Sequence, residues 1–179
     1  MIKRLTSSIG KLSLPGNGLL HLNQSDRNII VGNMVLNQDF KEFIQLLNEH
    51  KVRYLVVGGY AVAFYGHPRY TKDLDVWLWV DPTNAQKILE ALREFGFGPL
   101  GLTAQDFLNP SNIIQLGYPP VRIDLIMSVS GVDFNSCFEH RMITELDGQP
   151  INFISLEDLK RNKRASGRNI DLSDIENLE

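Results

Sequence analysis

Apolar and polar positions along this chain change their period several times, and each change marks an element. From Asn37 or Asp39, either a good N-cap, the residues Phe40, Phe43, Ile44 and Leu47 recur at three- and four-residue spacing as far as about His50. That spacing predicts an amphipathic helix packed on a sheet. Leu55-Val56-Val57 is a short β-branched run ending in Gly58-Gly59, which reads as a buried strand stopping at a tight turn. Tyr60 to Tyr65 contains no breaker and predicts a short helix. After the turn-rich link Gly66-His67-Pro68-Arg69 the period becomes two: Leu74, Val76, Leu78 and Val80 alternate with Asp73, Asp75, Trp77 and Trp79, as on the two faces of a strand. Asp81 caps and Pro82 opens another helix, whose stripe is Ala85, Ile88, Leu89, Leu92 and Phe95 and whose end is Gly96.

Beyond Gly96 the signal weakens. The stretch 97–109 holds one candidate element, a short helix from Thr103 to Leu108. Asn112 to Leu116 and Val121 to Met127 predict an antiparallel hairpin across Gly117-Tyr118-Pro119-Pro120, the prolines confined to the turn because they cannot donate ladder hydrogen bonds. Ile151 to Ile154 predicts a further strand. Ser155 then caps a helix, with Asp158 as a capping-box-like partner, running to about Ala165 and ending near Gly167. Residues 1–36 lack sustained periodicity and are expected to be a loosely ordered leader. Leu19-Leu20 and Ile29-Ile30-Val31 could instead add an edge strand or packing arm, and Met34 is an alternative natural start. Residues 37–179 form the expected folded domain.

Composition narrows this. With 179 residues, 43% of them hydrophobic, the chain can bury one core, so a single domain is expected. A net charge of −3 gives no global attraction to nucleic acid or anionic lipid, so any polyanion must be met by a local patch. The single cysteine, Cys137, cannot form an intramolecular disulfide, which suits a reducing cytoplasm. No run of eighteen apolar residues and no signal-peptide pattern occurs, so a soluble cytoplasmic protein is expected, without a membrane partner.

The chemistry concentrates between residues 55 and 80. Asp73 and Asp75 share a strand face about 7 Å apart at the backbone. Brought within about 4 Å, their carboxylates repel by about 4 kcal/mol at a surface-like dielectric, so a positive group belongs between them. A hard cation with oxygen ligands, Mg²⁺ or Mn²⁺, fits the carboxylates and also substrate phosphates. The glycines allow close backbone approach, and the N–H groups opening the following helix favour anions. Taken singly, Gly-Gly after a strand and Asp-x-Asp on a strand are common and are more often structural than functional. Their order along the chain gives them weight.

Asp124 sits between apolar residues on a strand expected to be internal, where an unpaired charge costs several kcal/mol. It calls for either a salt bridge, to Arg122 or another cation, or a metal. Asp133, Glu139 and Glu145 have no comparable setting and read as surface residues. Near the C-terminus Lys160, Lys163 and Arg164 share one side of a helix and could project onto a polyphosphate, although a charge run is more often a solvated face. Trp77 and Trp79 read as core packing ahead of base stacking.

The block Gly58-Gly59, thirteen residues, then Asp73-Leu74-Asp75 resembles the hallmark of the polymerase-β-like nucleotidyltransferase superfamily. Gly58, Gly59, Ala61, Gly66, Arg69, Thr71, Asp73 and Asp75 match the pattern of its small bacterial toxin-type (AbiEii-like) branch, while Tyr65 stands where many relatives carry His. The C-terminal segment from Ser155 to Ile175 also resembles that branch. The resemblance implies an α/β (α+β) polymerase-β-like fold, a mixed sheet packed by helices with further C-terminal helices. It implies transfer of NMP from an NTP to a hydroxyl, with pyrophosphate released. Asp73, Asp75 and Asp124 would be catalytic and hold Mg²⁺ or Mn²⁺, with Asp124 the general base. Gly58, Gly59, Arg69, Thr71 and Lys163 would meet the nucleotide, and Arg168 could instead pair with Asp171 or Asp174. The acceptor stays open among tRNA, a small molecule such as an antibiotic, and a protein hydroxyl. A toxin-type enzyme held by an antitoxin protein is the expected setting. The alternatives are a catalytically silent nucleotide-binding module and a purely structural partner.

Overall fold

Among the described residues, the strands Ile2–Leu5 (β1), Tyr54–Val57 (β2), Asp73–Leu78 (β3), Ile113–Tyr118 (β4), Val121–Ile126 (β5), Met142–Leu146 (β6) and Gln149–Phe153 (β7) form one mixed sheet in the order β1-β4-β5-β3-β2-β7-β6. The structure, a computed structural model, describes residues 2–5, 36–67, 71, 73–98, 101–119, 121–146 and 148–178. Ile2–Leu5 (β1) lies parallel to β4 at one edge, so the start of the chain adds a strand to the sheet. Leu19-Leu20, Ile29-Ile30-Val31 and Met34 lie outside the described residues.

The first helix, Gln38–Glu49 (α1), is capped by the Asn37 side chain, which accepts from the Asp39 N–H at 2.8 Å, and buries Phe40, Phe43, Ile44 and Leu47. Tyr54–Val57 (β2) runs straight into Gly58–Phe64 (α2). Asp73–Leu78 (β3) is antiparallel to β2. Pro82–Leu92 (α3) begins at an Asp81 cap, as its sequence predicts, but gives way at Arg93–Phe97 to a wider π turn containing Gly96 at φ 94°. A residue in that left-handed region cannot continue an α-helix, so the regular helix stops at Leu92 although Phe95 still packs inward.

Thr103 and Asp106 close a capping box on a 3₁₀ turn, Ala104–Phe107. The hairpin Ile113–Tyr118 (β4) and Val121–Ile126 (β5) pairs as far as Tyr118 and Val121, so its connection is two residues long and not the four expected. Gly117 permits this: at φ 76°, a Cβ there would lie 2.8 Å from the Val121 carbonyl oxygen. β5 then lies parallel to β3, a pairing between segments some fifty residues apart.

Phe134–Glu139 (α4) and the edge strand Met142–Leu146 (β6) were not legible in the sequence. Gln149–Phe153 (β7) pairs with β6 and, in parallel, with β2. Leu156–Ser166 (α5) starts at the Ser155 cap and ends at Gly167 in the left-handed conformation, before Asn169–Leu178 (α6). The loop after β5 packs tightly on α5. Asn162 donates to the Ser130 carbonyl at 2.9 Å, and a Cβ at Gly131 would meet the Ala165 methyl at 2.4 Å.

A single core spans the sheet and its helices, with Phe64 stacked on Phe153 at 4.3 Å and Trp77 edge-on to Phe134 at 5.1 Å. Both tryptophans point at structure: Trp77 is buried and donates to the Met127 carbonyl, and Trp79 lies beneath the Arg53 guanidinium at 4.2 Å. Buried Asn84 fastens the far ends of β2 and β3. Its amide oxygen accepts from the Arg53 N–H at 2.8 Å, and its amide nitrogen donates to the carbonyls of Arg53 (3.1 Å) and Trp79 (2.9 Å). Replacing Asn84 with Ala removes three hydrogen bonds and takes this partner from the Arg53 N–H and the Trp79 carbonyl, while the Arg53 carbonyl keeps the Trp79 N–H, so urea unfolding of Asn84→Ala is expected to show a loss of about 2–3 kcal/mol.

Candidate active site

Parallel pairing of β3 with β5 sets Asp75 opposite Asp124 and Asp73 opposite Arg122, and the neighbouring antiparallel strand sets Gln115 beside Asp124. Register partners in a sheet project to the same side, so the three aspartates the sequence singles out lie together on one face. Their closest link is Arg122. Its Nε donates to Asp124 Oδ1 at 2.7 Å, and one terminal nitrogen donates both to Asp124 Oδ2 at 2.9 Å and to Asp73 Oδ2. Gln115 Nε2 donates to Asp124 Oδ2 at 3.1 Å.

Asp75 takes its place from Gly58. The register pairs Asp75 with Val57, the last residue of β2, and Gly58 follows with φ 63°. A Cβ at Gly58 would sit 1.9 Å from Asp75 Oδ2. The turn is therefore bare because the carboxylate needs the room, and no side chain caps the first turn of α2. Gly59 is buried in that turn. Thr71 turns inward: its hydroxyl donates to Asp73, 3.3 Å from both Oδ1 and the backbone oxygen. It positions a carboxylate. Arg69 lies outside the described residues.

The electrostatics follow from crowding. Burial, then the charges of Asp73 and Asp124, push Asp75 up to about 7, against the lowering fields of Arg168 and Arg122. Asp124 is also raised, burial outweighing its bonds to Arg122 and Gln115. Burial opposes the charge of Arg122, but its bond to Asp124 and the three carboxylates around it raise its pKa overall. Tyr60, in the first turn of α2, is raised by burial and by Asp73. Tyr65 is tied elsewhere, its hydroxyl donating to the Ile154 carbonyl at 2.8 Å, and His67 is exposed.

Lys163 requires a correction. The sequence places it on a basic helix side aimed at phosphates, but its side chain is only 2% exposed and its ammonium bonds Asp171 at 3.0 Å and Asp174 at 2.6 Å. A buried ammonium demands such partners, and α6 folds back to supply them. Lys163 anchors α5 to α6, with its ammonium taken up by two carboxylates and not aimed from an exposed helix side. Besides Arg122, Arg168 also extends its field to Asp75, from a side chain that is 69% exposed. Asp171 holds it through two bonds, at 2.6 and 3.1 Å. The i, i+3 spacing of Arg168 and Asp171 carries this signal in the sequence; the proximity to Asp75 does not show there.

The donor set suits a hard divalent cation, since it consists of carboxylate oxygens with a charge surplus. Among the described residues no cluster of three metal-ligating side chains is closed around one point, and the Arg122 guanidinium bridges two of the three aspartates. By the chemistry of their oxygens, Asp73, Asp75 and Asp124 are the residues that would hold such an ion. Among the described residues no helix is long and apolar enough to cross a membrane.

Two outcomes are expected in the metal-free protein. Gly58→Ala should displace the Asp75 carboxylate and destabilise the fold by about 2–4 kcal/mol in urea, through both the clash and the positive φ. For Asp75 the folded pKa lies above the unfolded one, so its contribution is whole below about pH 4 and is lost as pH rises toward 7. Asp75→Asn should thus match the parent near pH 4 and exceed it by about 1–3 kcal/mol at pH 8 in paired denaturation curves, allowing for solvent screening.

Comparison with known proteins bears on the family and the fold. A family profile described as "Nucleotidyltransferase of unknown function (DUF6036)" matches residues 34–179. No curated protein matches the chain. Among solved structures, a candidate nucleotidyltransferase from Thermotoga maritima is similar, with 18% identity, a TM-score of 0.51, and coverage of 78% of this chain and 87% of that one. An antigenic nucleotidyltransferase-like protein from Paracoccidioides brasiliensis has 18% identity and a TM-score of 0.46 over 78% of this chain and 74% of its own. The fold is that of the nucleotidyltransferases, and the chain belongs to the DUF6036 family of nucleotidyltransferases.

Proposed function

We propose that the protein transfers NMP from an NTP to an acceptor hydroxyl, in a divalent-metal-dependent reaction centred on Asp73, Asp75 and Asp124. The observation that carries this reading is the convergence of those carboxylates on one sheet face beside the bare Gly58 turn. A bound Mg²⁺ or Mn²⁺ supplies positive charge to the triphosphate and to the departing pyrophosphate. Asp73 and Asp75 hold the ion, with Thr71 fixing the first of them. Asp124 accepts the proton from the acceptor hydroxyl at a carboxylate oxygen. Gly58 and Gly59 leave the backbone open to the phosphates, Arg69 adds positive charge, and Arg168 takes the part that the sequence suggests for Lys163.

The acceptor is a tRNA end, a small molecule or a protein hydroxyl. The biological setting we favour is a cytoplasmic toxin-type enzyme of the AbiEii-like kind, restrained by an antitoxin protein. Its support is the likeness of the two sequence blocks.

Incubating the protein with Mg²⁺ and each α-³²P-labelled NTP, together with total RNA, cell lysate or an aminoglycoside set, tests the activity. Label should pass to one acceptor class. Asp75→Ala should reduce transfer by about a thousandfold or more, the scale on which loss of a metal-holding carboxylate acts on an in-line displacement. Thermal stabilisation by NTP with no transfer to any acceptor would replace this reading with the silent-module alternative.

A further inference from the structure

Arg122 stands where positive charge is most needed, and it leaves no room for a second cation while it stays. One terminal nitrogen serves both Asp73 Oδ2 and Asp124 Oδ2, and Nε holds the other oxygen of Asp124. One guanidinium thus serves two of the three carboxylates and offsets one of their two charges. A hard cation shared by Asp73 and Asp124 would use these same oxygens, at shorter range than any nitrogen. Both cannot occupy them, since a guanidinium alongside a divalent ion adds repulsion where the ion gains its binding energy.

The guanidinium also has a way out. Arg122 is the second residue of β5, next to the hairpin turn, and its side chain is 23% exposed, against 10% for Asp124. Gln115 also donates to Asp124 from the neighbouring strand, so the carboxylate has a second partner to orient it when the arginine leaves.

We propose that Arg122 is a resident counter-cation that a divalent ion must displace from Asp73 and Asp124, and that it thereby sets the affinity of the site for metal. The proposal rests on the metal-dependent reading above. Its consequence is a site held together without metal and reluctant to take metal alone. Displacement is favoured when a nucleotide triphosphate brings the ion, because the released guanidinium then has phosphate oxygens within its neighbourhood to bind.

The test uses the full chain and Mn²⁺ alone, without nucleotide, followed by calorimetry and by Mn²⁺ electron paramagnetic resonance. Arg122→Gln removes the competitor and should bind Mn²⁺ about tenfold or more tightly than the parent. Arg122→Lys, which keeps the charge but loses the two-point hold on Asp124, should bind about threefold or more tightly. In the parent, Mg²⁺ titration followed by ¹⁵N NMR should move the Arg122 Nε–H signal to the position of a free arginine. Unchanged or weaker Mn²⁺ binding in a folded Arg122→Gln would overturn the proposal. Should that variant not fold, unchanged or weaker binding by Arg122→Lys does the same, and so does an Arg122 signal that stays put at saturating Mg²⁺. Tighter metal binding in the variants without any NMP transfer by the parent leaves the role of Arg122 standing and removes the catalytic reading. Transfer by the parent with no gain in affinity does the reverse.

Discussion

Three aspartates on adjacent strands repel one another, and the candidate site is organised by the ways that repulsion is contained. Arg122 joins two of them through a single guanidinium, Gln115 steadies Asp124, and Asp75 is pressed against the bare backbone at Gly58 with a raised pKa. A core could be built more cheaply from apolar residues at these positions. The sheet that carries the aspartates is fastened at its opposite end by Asn84, which ties β2 and β3 to α3. Rigidity thus lies at one end of the strands and charge strain at the other, an arrangement suited to binding a cation without reshaping the fold.

Much of this was legible in the sequence because it is local. Alternation along 73–80 puts Asp73 and Asp75 on one face whatever else the chain does, and the Asn37, Asp81 and Ser155 caps announce their helices. Asp124 could be singled out by burial logic alone. Of the two readings it left open, the salt bridge is seen, since Arg122 pairs with it, and the other two aspartates flank that pair. That β5 runs beside β3 could not be deduced, because nothing local encodes which strands meet.

The less legible parts have particular causes. β6 reads Met-Ile-Thr-Glu-Leu at an edge where Met142 and Ile143 stay exposed, so no core demanded a clean alternation. α4 has only six residues, too few to establish a helical period. The burial of Lys163 was not legible because a helix-surface argument considers one helix at a time. The partners that bury it, Asp171 and Asp174, belong to the next. Its anchoring has a further effect: Asp171, fixed by Lys163, is in turn the residue that holds Arg168.

That chain of contacts gives unexpected leverage to Gly131. The glycine lies seven residues beyond Asp124 and none of its atoms belongs to the carboxylate cluster, yet α5 rests directly on it through Ala165. Any bulk there lifts the helix, and with it the α5–α6 corner that carries Arg168. A larger residue at 131 would press on Ala165 and shift α5 while leaving the contacts among Asp73, Asp124 and Arg122 untouched. The loop behind β5 is therefore mechanically linked to Arg168 through α5 while lying apart from the three carboxylates.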